Sequence, residues 1–165
     1  MKTVRHNLAR AAFLAVAAII PACGSTQSSL RVNTNPPPLG TYKSVQIVCT
    51  SEEERAQPFT GRLESQVMVK LKERDTFQEY HLSKDTAPSE LLVNVKILNL
   101  KKASGGWGWY GRYSSTVNCD VDMLDTKTNA SIGSISVMAR PKGSSIEQAI
   151  DDAAVQIADF LREHK

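Results

Sequence analysis

Alternating apolar and polar residues run through the second half of the chain and predict β-strands with one buried and one exposed face. The clearest case is residues 113–125, YSSTVNCDVDMLD. Its apolar positions are Val117, Cys119, Val121 and Met123, and its polar positions are Asn118, Asp120 and Asp122. Residues 91–100, LLVNVKILNL, follow the same period of two. We therefore expect neighbouring strands that share an apolar face.

Three further segments also have the pattern of strands. They are residues 42–50 (YKSVQIVCT), 77–82 (FQEYHL) and 130–140 (ASIGSISVMAR). In the last of these, Gly133 breaks the alternation between Ile132 and Ile135, which indicates a β-bulge. The turn-forming residues DTKTN separate this strand from the preceding one, so the two are expected to pair as a hairpin.

Two segments have apolar residues at helical spacing. They are residues 59–74, FTGRLESQVMVKLKER, and residues 146–163, IEQAIDDAAVQIADFLRE. In the first, an apolar residue recurs at every fourth position, and in the second the apolar residues form one broad face. Ser144 or Ser145 is placed to cap the second helix, with Glu147 or Gln148 completing a capping box.

The order of these elements is β-α-β-β-β-β-α. Short connections join the strands from residue 91 onward, so an antiparallel meander is expected. The prediction is an α+β two-layer sandwich: a mixed, mostly antiparallel sheet of about five strands with two helices on one face. It forms a single domain over residues 41–165.

The first 22 residues predict a secretory signal peptide. Residues 1–10 carry three basic residues and no acidic one, and residues 11–22 are apolar. Residues 20–25, IPACGS, resemble the lipobox of bacterial lipoproteins, with Cys23 as its cysteine. The resemblance implies diacylglycerol on Cys23, an N-acyl chain such as palmitate, and a membrane-anchored domain that faces the periplasm. Gly24 after the cysteine favours the outer membrane by the same resemblance.

Ordinary cleavage after Ala22 is the alternative, and it would leave a soluble periplasmic or secreted protein. In either case, residues 23–40 are rich in Ser, Thr, Asn and Pro and are expected to form a flexible linker. No cofactor is expected apart from the covalent lipid on Cys23.

The net charge of the chain without its predicted leader differs from that of the whole chain. The whole chain has 20 basic and 17 acidic residues, giving +3. The leader holds Lys2, Arg5 and Arg10, so the remainder has 17 basic and 17 acidic residues and is neutral. A nucleic-acid partner is therefore not expected.

Few residues offer catalytic or metal-binding chemistry. The sequence lacks the Cys and His spacings of a zinc site, so no metal is predicted. His81, or the Asp120 and Asp122 pair, could serve as acid or base in an envelope hydrolase, but no motif surrounds them. Cys49 and Cys119 both lie on inward faces of predicted strands, and could either be buried free thiols or form a disulfide in an oxidising periplasm.

Residues 103–113, ASGGWGWYGRY, combine glycines with four aromatic residues at a predicted hairpin tip. One possibility is that the rings pack on the sheet or on each other. The other is an exposed contact for a partner protein, a glycan or the membrane interface. The candidate partner-binding residues are Trp107, Trp109, Tyr110, Arg112 and Tyr113.

From residue 91 to the end, the chain resembles small bacterial lipoproteins of unknown function. The resemblance rests on the glycine-rich hairpin, the strand DVDMLDTKT and the final helix with AVQIADFL. In architecture it is similar to the small α/β domains of the curli secretion lipoprotein and the Tol-Pal propeller protein. This implies a non-catalytic envelope module that acts by binding, assembly or self-association.

Overall fold

The computed structural model describes residues 28–103 and 114–165, which form six strands and two α-helices. In chain order they are β1 Ser29–Thr34, β2 Ser44–Ser51, α1 Gln57–Glu73, β3 Glu79–Leu82, β4 Leu91–Lys101, β5 Thr116–Asp125, β6 Ala130–Ala139 and α2 Ile146–Glu163. Short 3-10 turns precede β2 and α1. Apart from β1, the elements follow the order that the sequence predicts.

The strands form one mixed sheet in the order β1-β6-β5-β4-β2-β3. Strand β2 is parallel to both β3 and β4, and the other neighbours are antiparallel. The two ends of the sheet differ in the connections that they carry. The hairpin end is where β4 leads toward β5, and the turn end is where β5 leads into β6. The predicted α+β class is confirmed, with six strands in place of about five.

The core lies between the sheet and both helices, which pack on the same face. The alternation of apolar and polar residues in β4 and β5 explains the position of this core, because every apolar residue on the inner face of these strands is buried. These residues are Leu91, Val93, Val95, Ile97, Val117, Cys119, Val121 and Met123. From the helices, Leu63, Val67, Leu71, Ile150 and Ile157 reach the same layer without exposed surface. Burial of each such side chain contributes roughly 1.5–3 kcal/mol.

Two local predictions are confirmed. Helix α2 begins at Ile146 after a capping box, in which Ser145 Oγ accepts the Gln148 N–H and Gln148 Oε1 accepts the Ser145 N–H. The pairing of β5 with β6 shifts register where Gly133 faces Met123, so Ile132 is the extra residue of a bulge.

A buried carboxylate, Glu64 of α1, replaces missing strand contacts beside β2. Strand β3 stops at Leu82, opposite Ile47, which leaves the outer edge of β2 without a neighbour beyond that point. There Glu64 accepts the Cys49 N–H at 3.3 Å and both the N–H and the hydroxyl of Ser83. Since buried backbone donors require partners, this one side chain joins α1, β2 and the end of β3.

The main departure from the sequence analysis is β1, which lies inside the segment 23–40 that was predicted to be a flexible linker. Residues 29–34 pair antiparallel with β6, from Ser29 opposite Met138 to Thr34 opposite Ser134. Leu30 packs against the core, and Pro36 is buried beside Gly133. The physical reason is that β6 would otherwise be an unpaired edge, and a polar strand can still satisfy its backbone groups.

The contact between Pro36 and Gly133 predicts the effect of Gly133→Ala. A Cβ at residue 133 would lie 2.8 Å from the Cβ of Pro36 and 3.0 Å from its backbone N. Residue 36 must then move, and we expect the free energy of unfolding in urea to fall by about 1–3 kcal/mol. Loosened pairing of β1 should also speed tryptic cleavage after Arg31.

Gly61→Ala is the matched control, because a Cβ at this position in α1 would have no atom within 4 Å apart from its chain neighbours and the backbone of its own helix. Alanine is the better helix former, so this variant should be more stable by up to about 1 kcal/mol. Equal effects of the two substitutions would contradict the packing of Pro36 on β6.

Candidate functional site

The base of the β4–β5 hairpin is fixed by serines to the loop that leads into α2. Ser115 Oγ accepts the Ala103 N–H at 3.2 Å, and the Ser115 N–H donates to the Ser144 carbonyl at 3.2 Å. Ser114 Oγ accepts the Gly143 N–H at 3.0 Å. The two ends of the hairpin are therefore held in place although residues 104–113 lie outside the described part of the chain.

An open groove lies at this base on the sheet face away from the helices, with a volume of about 390 Å³. We call it the hairpin-base groove. Its lining residues are Lys101, Lys102, Ala103, Ser114, Thr116, Asn118, Met138 and Arg140. Three of them are exposed cations and none is acidic. Within residues 28–103 and 114–165, none of these three cations lies within 4.0 Å of a carboxylate, as a salt bridge would require.

A second groove, of about 300 Å³, lies on the helix side of the same hairpin base. Lys102 lines both grooves, and Glu147 of α2 lines only this one. The pKa of Glu147 lies below its ordinary value, chiefly because the Ser145 hydroxyl donates to its carboxylate, with Arg62 and Lys102 as weaker contributors. The acidic charge near the hairpin base thus belongs to the helix side.

The chain enters the domain at this same end. Ser28, the first described residue, accepts the Arg140 N–H at 2.8 Å and donates to Asp152 Oδ2 at 2.7 Å. Sequence reasoning missed this, because the segment was interpreted as linker. The spacing of Leu30 and Val32 by two residues, in SLRVNT, was the available signal for a strand.

Several predicted site residues lie outside the described ranges. They are Cys23 and the aromatic hairpin residues. The hairpin residues concerned are Trp107, Trp109, Tyr110, Arg112 and Tyr113. The described residues that flank the hairpin segment are Ala103 and Ser114, and both line the hairpin-base groove.

The residues considered for acid–base chemistry are not brought together. His81 lies on β3 at one edge, whereas Asp120 and Asp122 lie on β5, with β2 and β4 in between. Three strand spacings put His81 about 14 Å from the aspartates. Asp120 accepts the Ser136 hydroxyl at 2.7 Å, and Asp122 is exposed. Within the described residues, no group of three His, Cys, Asp or Glu side chains could hold a metal ion.

Of the two alternatives for Cys49 and Cys119, the structure has free thiols. Cys49 pairs with Val95 and Cys119 with Ile97, so β4 separates the two cysteines. Two strand spacings amount to about 10 Å, beyond the Cα separation of about 7 Å that a disulfide tolerates. Burial raises the pKa of both thiols, that of Cys119 to about 12.

The turn end of the sheet is closed by hydrogen bonds. Asp125 accepts the N–H groups of Thr128 and Lys127 and the Tyr42 hydroxyl, and these bonds, led by Thr128, lower the pKa of its carboxyl. Glu90 accepts the Lys43 N–H at 2.7 Å and the Lys127 ammonium at 3.1 Å. These contacts lower the pKa of Glu90, the Lys43 bond most strongly. Asp125, Glu90 and the Lys127 ammonium at this end therefore have partners, unlike the three cations of the hairpin-base groove.

Comparison with known proteins identifies the fold. No family model and no curated protein matches the sequence. Among solved structures, the PelC dodecamer from Paraburkholderia phytofirmans is similar, with a TM-score of 0.63, 12% identity, and coverage of 82% of this chain and 97% of that one. Protein XCC0632 from Xanthomonas campestris, of the DUF330 family, has a TM-score of 0.56 and 10% identity, and covers 82% and 93%. At such identities, the likeness shows a shared fold.

Neither α1 nor α2, the helices of the described residues, has the length and apolar character needed to cross a bilayer.

The cysteine environment predicts poor reactivity in the folded protein. Iodoacetamide at pH 8 should label Cys49 and Cys119 at least about 100-fold more slowly in buffer than in guanidinium chloride, because the thiolate is the reactive form and both thiols are largely buried. Peptide mass spectrometry measures the labelling. Rapid labelling of the folded protein, or a peptide pair linked by a disulfide, would contradict the arrangement of β2, β4 and β5.

Proposed function

We propose that this protein is a bacterial cell-envelope lipoprotein that is anchored through a lipid on Cys23, faces the periplasm, and acts by binding and assembly without catalysis. The outer membrane is the location we favour. The observation that carries the proposal is the short distance in sequence between Cys23, which directly follows the predicted leader, and Ser28, which is already bonded to the domain. A lipid on Cys23 would therefore hold the domain itself at a membrane surface.

The proposal of assembly is supported by the shared fold. PelC from Paraburkholderia phytofirmans is a dodecamer with this fold over most of its length. We extend self-association to this chain. The aromatic hairpin is the proposed contact, because Trp107, Trp109, Tyr110 and Tyr113 offer flat apolar surface beside Arg112, a composition enriched in protein interfaces.

Anchoring is tested by the intact mass of the N-terminal peptide from membranes of expressing cells. We expect a chain that begins at Cys23 and carries three acyl chains. Cys23→Ser should abolish both the acylation and the membrane fraction, whereas Cys49→Ser, which changes a cysteine within the domain, should leave both unchanged. An unmodified peptide from the soluble periplasm would contradict the anchor and favour a free secreted protein.

Assembly is tested by light scattering on protein extracted in mild detergent. We expect an oligomer, and we expect Trp107→Ala with Trp109→Ala to reduce its mass while the far-UV circular dichroism of the folded domain stays the same. Val69→Ala is the matched control, because Val69 is 44% exposed on α1, far from the hairpin in sequence. A monomeric native protein contradicts assembly, and an oligomer that the tryptophan substitutions leave intact removes the hairpin from the interface.

A further inference from the structure

The hairpin-base groove stands where a lipid anchor would bring the domain to the membrane. Only residues 24–27 lie between Cys23 and Ser28, and the five residue-to-residue steps from one to the other span at most about 18 Å. Ser28 accepts the backbone N–H of Arg140, whose side chain lines the groove. Because β1 begins at Ser29, these few residues and Ser28 are all that separates the sheet from Cys23. The hairpin end is therefore the end nearest the anchored cysteine.

The charge of the groove is opposite to that of an anionic membrane. Lys101, Lys102 and Arg140 line it without a carboxylate. Several cations elsewhere in the described residues do pair with carboxylates, as in Arg62 with Asp151 at 2.9 Å and Arg74 with Asp159 at 2.8 Å. The chain after the leader is neutral in total, so this cluster is a local concentration of positive charge and not a consequence of composition.

Acidic groups at the same end are engaged elsewhere. Glu52 pairs with Lys96 at 2.6 Å, and Glu53 accepts the Leu100 N–H at 2.9 Å. Asp152 accepts the Ser28 hydroxyl, and Glu147 lines the groove on the helix side. None of these four carboxylates lines the hairpin-base groove.

We infer that the hairpin-base groove docks on the phosphate groups of anionic phospholipids in the membrane that holds the anchor. The inference rests on the proposed function, since the lipid on Cys23 is what brings the groove to the headgroups. Lys and Arg beside an anionic surface are attracted to it, and Ser114, Thr116 and Asn118 add polar side chains that can bond to phosphate oxygens. The acyl chains hold the protein, and the groove orients it with the hairpin end toward the bilayer.

The test is lysine acetylation of the acylated protein in vesicles. One set contains phosphatidylcholine alone, and the other contains equal parts of phosphatidylcholine and phosphatidylglycerol. We expect acetylation of Lys101 and Lys102 to be about fivefold slower in the anionic vesicles, at low salt. Lys127 at the turn end, whose side chain is 73% exposed, should react equally in both. Peptide mass spectrometry gives each rate.

Substitution of single arginines distinguishes an effect of the groove from an effect of surface charge in general. Arg140→Gln should remove much of the protection at Lys101 and Lys102, whereas Arg162→Gln, the same change at the C-terminal end of α2, should preserve it. Equal rates at Lys101 and Lys102 in the two vesicle sets would overturn the inference. So would equal slowing at Lys127, because the groove would then not face the bilayer.

Two other occupants give different results. Protection in neutral vesicles on addition of inorganic phosphate would identify a free anion as the ligand and overturn membrane docking. Protection in neutral vesicles that rises with protein density would identify a second copy and also overturn it. If the protein carries no acyl chain on Cys23, both the proposed function and this inference are contradicted. If it is acylated but Lys101 and Lys102 are acetylated at equal rates in the two vesicle sets, only the docking of the groove is contradicted.

Discussion

The pairing of β1 with β6 decides where the chain enters the domain, and the functional arrangement depends on it. Without that pairing, residues 23–40 would form a long spacer, and no end of the sheet would have a defined relation to Cys23. With it, Ser28 is fixed beside Arg140, and only residues 24–27 lie between Ser28 and Cys23. The same backbone bonds cover an edge of the sheet that would otherwise be open to other strands.

The two ends of the sheet differ in how their polar groups are satisfied. At the turn end, Asp125 and Glu90 accept hydrogen bonds from backbone and side-chain donors, so their carboxylates stabilise the fold. Glu64 does the same beside β2, where it replaces ladder contacts. At the hairpin end, serines fix the backbone and leave the cations of the groove without ionic partners in the described residues. The cations of the groove therefore remain available to bind an anionic membrane surface or ligand.

Much of the fold can be predicted from the sequence because buried residues recur with a regular period within single strands and helices. The alternation in β4 and β5, the stripe of α1 and the cap at Ser145 each predicted the observed element. Strand β1 was missed because its six residues are mostly polar, and it is a strand only because β6 offers an edge. The hairpin-base groove joins Lys101 to Arg140 across the sheet, and such a cluster depends on register, which local patterns do not determine.

The pairing of the first strand with the sixth also affects how the chain folds. Ser29 faces Met138, so more than one hundred residues separate partners in the same ladder. A chain that emerges N-terminus first therefore cannot complete its sheet until β6 has been made, and such long-range contacts slow folding. Before then, β1 is an unpaired segment with the sequence SLRVNT. Segments of low hydrophobicity have a low tendency to aggregate, so a mostly polar first strand is compatible with this late pairing.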